Sequence, residues 1–353
     1  MEVDYIVVGQ GIAGSCMAFE LMRRGLKVAV FDDSWKWAAC IVAAGVINPI
    51  TGKRLVKSWR SEVAHTAAKK FYANLEGILK AKFYHERRIL QMCRSPEEDS
   101  LWRERINIPE YADLIGEYNP PNSFSDLNDS FGSYFINRSA WVECPVLMKA
   151  FKSFFEGKKV LIESPFSYET LKLDGECLEY ENLSARKIIF CEGWRVRENP
   201  FFKWLPMRPA KGEVLTLKSN AILPDHILHR GHWIMKYRDF FRVGSTWDRE
   251  NLNCIPTPSA RAELLSAAEN ILPKAGEFAV IEHSCGIRPC TATTRPHIGV
   301  HPKDNRLLSF NGFGSKGFAL CPYFAGHFAD FLECGTPLDS EGNLARHVKK
   351  FLR

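Results

Sequence analysis

Hydrophobic and polar positions along the chain follow two different periods. The apolar run Tyr5-Ile6-Val7-Val8 reads as a buried strand, and Val28-Ala29-Val30-Phe31 as a second. Between them lies a helical stretch that Gly25 is placed to end. From about Glu62 to Leu79, the residues Val63, Ala67, Phe71, Leu75 and Ile78 recur at helical spacing and predict one apolar helix face. Arg88 to Cys93 reads as a strand. Ser95-Pro96-Glu97-Glu98 has the form of a capping box with proline at the first helical position, and predicts a short helix carrying Trp102. Residues 107 to 137 are rich in Asn, Pro, Ser and Asp and read as loop. A helix opens at Pro145 with Val146, Leu147, Phe151 and Phe154 as its apolar residues, and Val160-Leu161-Ile162 reads as a strand. Asp174-Gly175, flanked by Leu171 to Leu173 and Cys177 to Tyr180, predicts a hairpin. Lys187 to Cys191 is an apolar strand expected to return to the first sheet.

After residue 207 the pattern changes. Glu213 to Leu217, His232 to Tyr237 and Phe240 to Thr246 alternate as antiparallel strands do, the last two joined by Arg238-Asp239. A helix starts near Pro258, and Phe278 to Arg288 forms a long strand. Leu307 to Phe310 is a further strand. It runs into Asn311-Gly312-Phe313-Gly314-Ser315-Lys316-Gly317 and a helix to about Glu333. No internal repeat is visible. The chain reads as α/β, with two domains woven from alternating segments.

Candidate chemistry begins at the first turn. The first strand runs into Gly9-Gln10-Gly11-Ile12-Ala13-Gly14, a Gly-x-Gly-x-x-Gly that opens a helix. Gly9 permits the tight turn, Gly11 lets a pyrophosphate approach the backbone, and Gly14 lets helix and sheet pack closely. The pyrophosphate then lies on free N–H groups at the helix N-terminus. Asp32, followed by Asp33, ends the second strand where a carboxylate can accept both ribose hydroxyls. These residues predict dinucleotide binding. Ala43-Ala44-Gly45, a run of small residues, suits the approach of something large and flat.

Composition changes the picture little. About a quarter of the residues are charged and the formal net charge is +6, too mild to indicate nucleic acid by itself. Lys53, Arg54, Lys57 and Arg60 make one local basic cluster, for which a solvated loop is the simpler account. No apolar run reaches membrane-spanning length and no signal peptide precedes the first strand. The eleven cysteines include no Cys-x-x-Cys pair and no His/Cys/Asp cluster has metal-ligand spacing. The expectation is a cytoplasmic protein with reduced thiols, no metal and no membrane association.

The fingerprint, Ala43-Ala44-Gly45, Gly286-Ile287-Arg288-Pro289 and the loop from Asn311 to Pro322 occur in an order and spacing that resembles the flavin-dependent D-amino-acid oxidase superfamily. Glycine oxidase and the FAD-dependent domain of the bifunctional tRNA wobble-uridine-modifying enzyme are members it resembles. The resemblance implies a Rossmann-like FAD-binding domain (1–60, 138–206 and 284–353) interleaved with an antiparallel-sheet substrate domain (61–137 and 207–283). It implies non-covalent FAD, with pyrophosphate on Gly9 to Gly14, including Ile12 and Ala13, ribose on Asp32, and adenine near Phe166 and Gly193-Trp194. The isoalloxazine would sit between Ala43-Ala44-Gly45 and Gly312, Gly314, Ser315, Lys316 and Gly317. There a helix N-terminus, with Lys316, would stabilise negative charge on reduced flavin. Arg288 would pair with a substrate carboxylate, a geometry that suits a guanidinium fork. Cys290 lies a position or two from where the sarcosine-oxidase flavin-linking cysteine falls.

Three departures from the family pattern bear on substrate. Trp233-Ile234-Met235-Lys236 stands where many members have Tyr-x-x-Pro, so a carboxylate-holding hydroxyl is missing unless Tyr237 substitutes. Thr294-Arg295 replaces the common Asp-Gly before Pro296, and Ser315 stands where glycine oxidase has a second arginine. The implied activity is oxidation of a C–N bond in an amino acid or N-substituted amine, by hydride transfer to flavin. A carboxymethylamino group on tRNA and a flavin-binding protein without turnover are the alternatives.

Overall fold

The computed structural model describes residues 1–34, 38–222 and 224–351. Among these, two large sheets stand side by side. The first has the order Leu161–Glu163, Val28–Asp32, Glu2–Val8, Leu183–Phe190, Asp304–Asn311 and His297–His301. Its first five strands run parallel, and His297–His301 pairs antiparallel at the edge. Val3, Ile6 and Val8 face one core while Tyr5 and Val7 face another. Burial on both faces explains why this strand is a continuous apolar run. Helices Ile12–Arg23, Ser61–Leu79, Cys144–Gly157 and Gly317–Cys334 cover one face.

The second sheet has eight strands among the described residues, in the order Ala279–Arg288, Ala210–Lys218, Phe240–Gly244, His232–Tyr237, Ile227–Arg230, Ile89–Met92, Ser133–Ile136 and Ile115–Asn119. All its pairings are antiparallel except that of Ile227–Arg230 with Ile89–Met92. Helix Pro258–Ile271 packs Leu264, Ala268 and Ile271 against Leu215, Leu217, Ile234 and Val243. No helix among the described residues is long and apolar enough to cross a membrane.

Several local expectations need correction. The buried face of Ser61–Leu79 is Ala64, Ala68, Tyr72 and Leu75, one residue round from the stripe of larger aliphatics; Val63 and Ile78 are 46% and 44% exposed. Tyr72 decides the rotation, because its hydroxyl donates to Phe318 O at 2.8 Å inside the core. Residues 107 to 137 are not all loop: Ile115–Asn119 and Ser133–Ile136 form an edge pair held by Tyr118 opposite Tyr134. The polar composition belongs to the connection between them, where Asp129 accepts from Ser123 N and Phe124 N. Around Asp174-Gly175 there is one bridge, Lys172 to Glu179. The regular hairpin pairs Leu178–Tyr180 with Leu183–Phe190 across Glu181-Asn182.

Candidate active site

A cleft of about 620 Å³ runs between the two sheets. Its nucleotide end is built by the first strand–turn–helix. A Cβ on Gly14 would lie 1.8 Å from Gly9 O, so this turn closes only with glycine there. Helix Ile12–Arg23 starts without a side-chain cap and without an acid in its first turn. The free N–H groups of that turn therefore meet no competing anion. Asp32 accepts from Gln10 N at 2.6 Å and from Ser34 N at 2.7 Å. Burial raises its pKa, against those two bonds. Each oxygen keeps a lone pair free for a hydroxyl. Asp33 is engaged by Arg195 at 2.6 Å. Phe166 lines the cleft with its ring stacked 4.2 Å from that of Tyr180. Gly193 and Trp194 line it as well, and Asn311 Nδ2 fixes Gly193 O at 2.9 Å. Glu192 lies beside them; burial pushes its carboxyl up to about 7, while Tyr168 and Asn199 donate to it.

The middle of the cleft is walled by Ala43, Ala44 and Gly45 on one side and by Gly314, Ser315 and Gly317 on the other. Gly317 opens helix Gly317–Cys334, whose first turn also lacks an acid. Small, backbone-rich walls and two uncapped helix starts make this a cradle for a dinucleotide joined to a flat ring system. FAD fits the residues present.

The far end holds Arg288. Its guanidinium donates to Lys211 O at 3.2 Å, Ser245 Oγ at 2.5 Å and Thr246 O at 3.2 Å. The Trp247 ring covers it at 4.6 Å. It rests on Gly212, where a Cβ would meet Nη2 at 2.0 Å. All three acceptors are neutral, and among the described residues it forms no ion pair. Burial lowers its pKa, although a guanidinium stays charged in proteins. Trp233 also lines this end, with its ring over Gly244. The acids that line the cleft, among the described residues, are Asp32, Asp33 and Glu192, all at the nucleotide end.

Four of the residues expected to touch cofactor or substrate do not line this cleft. Gly14 lies beneath the turn, and Gly312 packs against Thr291, where a Cβ would be 2.6 Å from Cγ2. Lys316 precedes the first residue of its helix without a capping side-chain bond; burial, and then Arg295, lower its pKa. Tyr237 lines a separate cavity of about 140 Å³ with Arg242. Ile12, Ala13, Gly9 and Gly11 all line the main cleft. Sequence reasoning passed over Gly212, Ser245, Asn311 and Arg242. Asn311 stood at the head of the C-terminal glycine loop; Gly212 lay just ahead of the strand read from Glu213, which the structure extends back to Ala210, and an isolated glycine inside a strand marks a close approach.

The family model for FAD dependent oxidoreductases of the DAO type matches residues 4–331. Glycine oxidase of Pseudomonas putida is 30% identical, with 96% of each chain covered. Glycine oxidase of Bacillus subtilis is 25% identical over 93% of this chain and 92% of its own. The tRNA 5-methylaminomethyl-2-thiouridine biosynthesis bifunctional protein of Marinobacter nauticus is 24% identical, with 98% of this chain matching 57% of that protein. The crystal structure of glycine oxidase from Geobacillus kaustophilus superposes with a TM-score of 0.85 at 18% identity, over 98% of this chain and 99% of that one. The cradle, the arginine beyond it and the match over nearly the whole length agree: the chain belongs to the DAO family of FAD-dependent oxidoreductases.

Proposed function

We propose that the enzyme oxidises a C–N bond of a small amino acid or N-substituted amino acid, with Arg288 holding the substrate carboxylate. One observation carries this reading: Arg288 is a half-buried cation in the cleft wall with only neutral acceptors around it. A desolvated charge left without an acid costs several kcal/mol, which an incoming carboxylate offsets. The glycine oxidases among the relatives support an amino-acid substrate.

Non-covalent FAD, held on Gly9 to Gly14, Asp32 and the loops at Ala43–Gly45 and Gly312–Gly317, would supply the two-electron acceptor. Arg288 would orient the substrate, and Trp233 and Trp247 would keep water from the guanidinium. No carboxylate lines this end of the cleft among the described residues. The amine would therefore react in its neutral form, and kcat/KM should rise with pH until the substrate's own ammonium has titrated. We assign segments 1–60, 138–206 and 284–353 to FAD and segments 61–137 and 207–283 to the substrate side. Eleven unpaired thiols favour the cytoplasm.

The tRNA reading draws less support. Of the basic cluster, Lys57 pairs with Glu62 and Arg60 with Asp339 at 2.6 Å, so half of its charge is already answered. The test is anaerobic addition of D-, L- and N-alkyl amino acids to the flavoprotein, beside the same amines without a carboxyl group. Bleaching by an amino acid and at least hundredfold weaker bleaching by its decarboxylated analogue are expected. Equal bleaching by both would sink the carboxylate anchor, and admitting air afterwards tells an oxidase from a dehydrogenase.

A further inference from the structure

A second buried guanidinium lies behind the cleft. Arg242, on strand Phe240–Gly244, is 7% exposed. It donates to Val42 O at 2.7 Å and to Ala43 O at 3.3 Å. The next two carbonyls of the same loop are also committed: Ala44 O accepts from Trp141 Nε1 at 2.9 Å and Gly45 O from Val142 N at 2.9 Å. Four successive carbonyls thus turn into the protein. Of the loop's N–H groups, that of Ala43 bonds Ala39 O, while those of Ala44 and Gly45 have no acceptor among the described residues. Ala44 and Gly45 line the FAD cleft. The loop has no slack, since a Cβ on Gly45 would stand 2.0 Å from Val142 O.

Arg242 forms no ion pair among the described residues. The exposed Glu282 acts on it only at longer range, and the Tyr237 ring lies 5.5 Å away. Its cavity and the main cleft sit back to back, because Ile41 and Val42 line both. Two carbonyls do not offset the desolvation of a full charge. The positive field therefore extends across one thickness of backbone into the cleft, where low polarity preserves its strength.

We infer that Arg242 is a positioning residue for the cofactor. It fastens the carbonyls of Val42 and Ala43 so that the N–H groups of Ala44 and Gly45 stay available to the flat ring, and its charge favours the reduced, more negative state of FAD. This rests on FAD being the resident cofactor. It predicts two separable effects, one from the fork of hydrogen bonds and one from the charge.

The test uses the FAD-loaded protein with Arg242→Met, Arg242→Lys and Trp141→Phe. FAD dissociation is measured by the fluorescence of released flavin, and the midpoint potential by dye-coupled reduction. Arg242→Met should weaken FAD binding about tenfold or more and move the potential to more negative values. Arg242→Lys should restore the potential more fully than the affinity, since an ammonium keeps the charge but lacks the fork. Trp141→Phe, which unties Ala44 O and leaves the charge, should weaken binding without lowering the potential. Carboxylate-ligand affinity at Arg288 should change less than threefold in Arg242→Met. An Arg242→Met protein with parental affinity and parental potential would overturn the inference. Should that variant not fold, parental FAD affinity in both Arg242→Lys and Trp141→Phe, or a potential below the parental one in Trp141→Phe, overturns it instead. Failure of the unmodified protein to bind FAD would overturn the cofactor assignment as well.

Discussion

Gly212 offers a way to disturb Arg288 without touching it. The glycine sits in the middle of strand Ala210–Lys218, paired with Gly286 of strand Ala279–Arg288, so alanine there keeps an ordinary strand backbone. The added methyl would meet Arg288 Nη2 at 2.0 Å, Cζ at 2.3 Å and Nη1 at 2.4 Å. Ordinary contact begins near 3.4 Å, so the guanidinium must move by about 1.4 Å. Arg288 has little freedom to do so, being tied to Lys211 O, Ser245 Oγ and Thr246 O under the Trp247 ring. A hydrogen-bonded charge pair is worth about 2–5 kcal/mol when one partner is lost. Displacement rather than removal takes the lower end, about 2 kcal/mol, or roughly 30-fold in affinity. Gly212→Ala should therefore raise the Kd of a carboxylate ligand, read from the shift in flavin absorbance, by about 30-fold, and raise KM similarly. FAD affinity should stay within a factor of about two, because Gly212 lies at the opposite end of the cleft from the nucleotide fingerprint. Parental carboxylate affinity in a folded Gly212→Ala protein would show that Arg288 does not anchor the substrate. Loss of FAD binding would show that the variant disturbs the whole cleft, which refutes the local argument.

Gly14→Ala should abolish FAD retention on a desalting column, because its methyl would fall 1.8 Å from Gly9 O. Trp102 is fully buried and stacks on Tyr134 at 5.5 Å. Its replacement by Ala should lower unfolding free energy by about 3–5 kcal/mol in urea titrations, and a loss below ~1 kcal/mol would contradict that packing. Glu192 gives a pH signature. Its carboxyl titrates near 7 in the folded protein against 4.5 for an ordinary glutamate, so the fold binds this proton more tightly than the unfolded chain does. That stabilisation is full below about pH 4.5 and is lost as pH rises through 7, about 3 kcal/mol in all. Glu192→Gln should flatten this part of the stability profile between pH 5 and 8, and an unchanged slope would refute the assignment.

What could be read from the chain alone was what lies close in sequence or follows a period. The turn at Gly9 to Gly14 and the strand ending at Asp32 are local patterns, and Gly9 to Ala13 and Asp32 stand together in the cleft. The antiparallel strands His232–Tyr237 and Phe240–Gly244 announced themselves by alternation and a two-residue turn. The helix Ser61–Leu79 was visible, but its buried face was not, since a tyrosine hydroxyl reaching Phe318 O outweighs two exposed aliphatics.

Arg288 shows a different kind of blindness. Its motif is local, yet its surroundings come from Lys211, Gly212, Ser245 and Thr246, more than forty residues away. Arg242 is the extreme case, because its partners Val42 and Ala43 lie some two hundred residues earlier and are carbonyls, which leave no mark in residue identity. Sequence shows a charge but not whether an acid will meet it, and in this cleft that missing acid is the informative fact. Lys211 makes the contrast: fully buried on strand Ala210–Lys218, which pairs with the strands of both arginines, it has Glu213 at 3.2 Å, and Glu213 in turn takes two bonds from Thr257. That cation has its counter-charge within the fold and needs no ligand. Among the described residues Arg288 and Arg242 have none; Arg288 lines the cleft where the negative charge of a substrate would come to rest, and Arg242 stands behind the wall that would face a reduced cofactor.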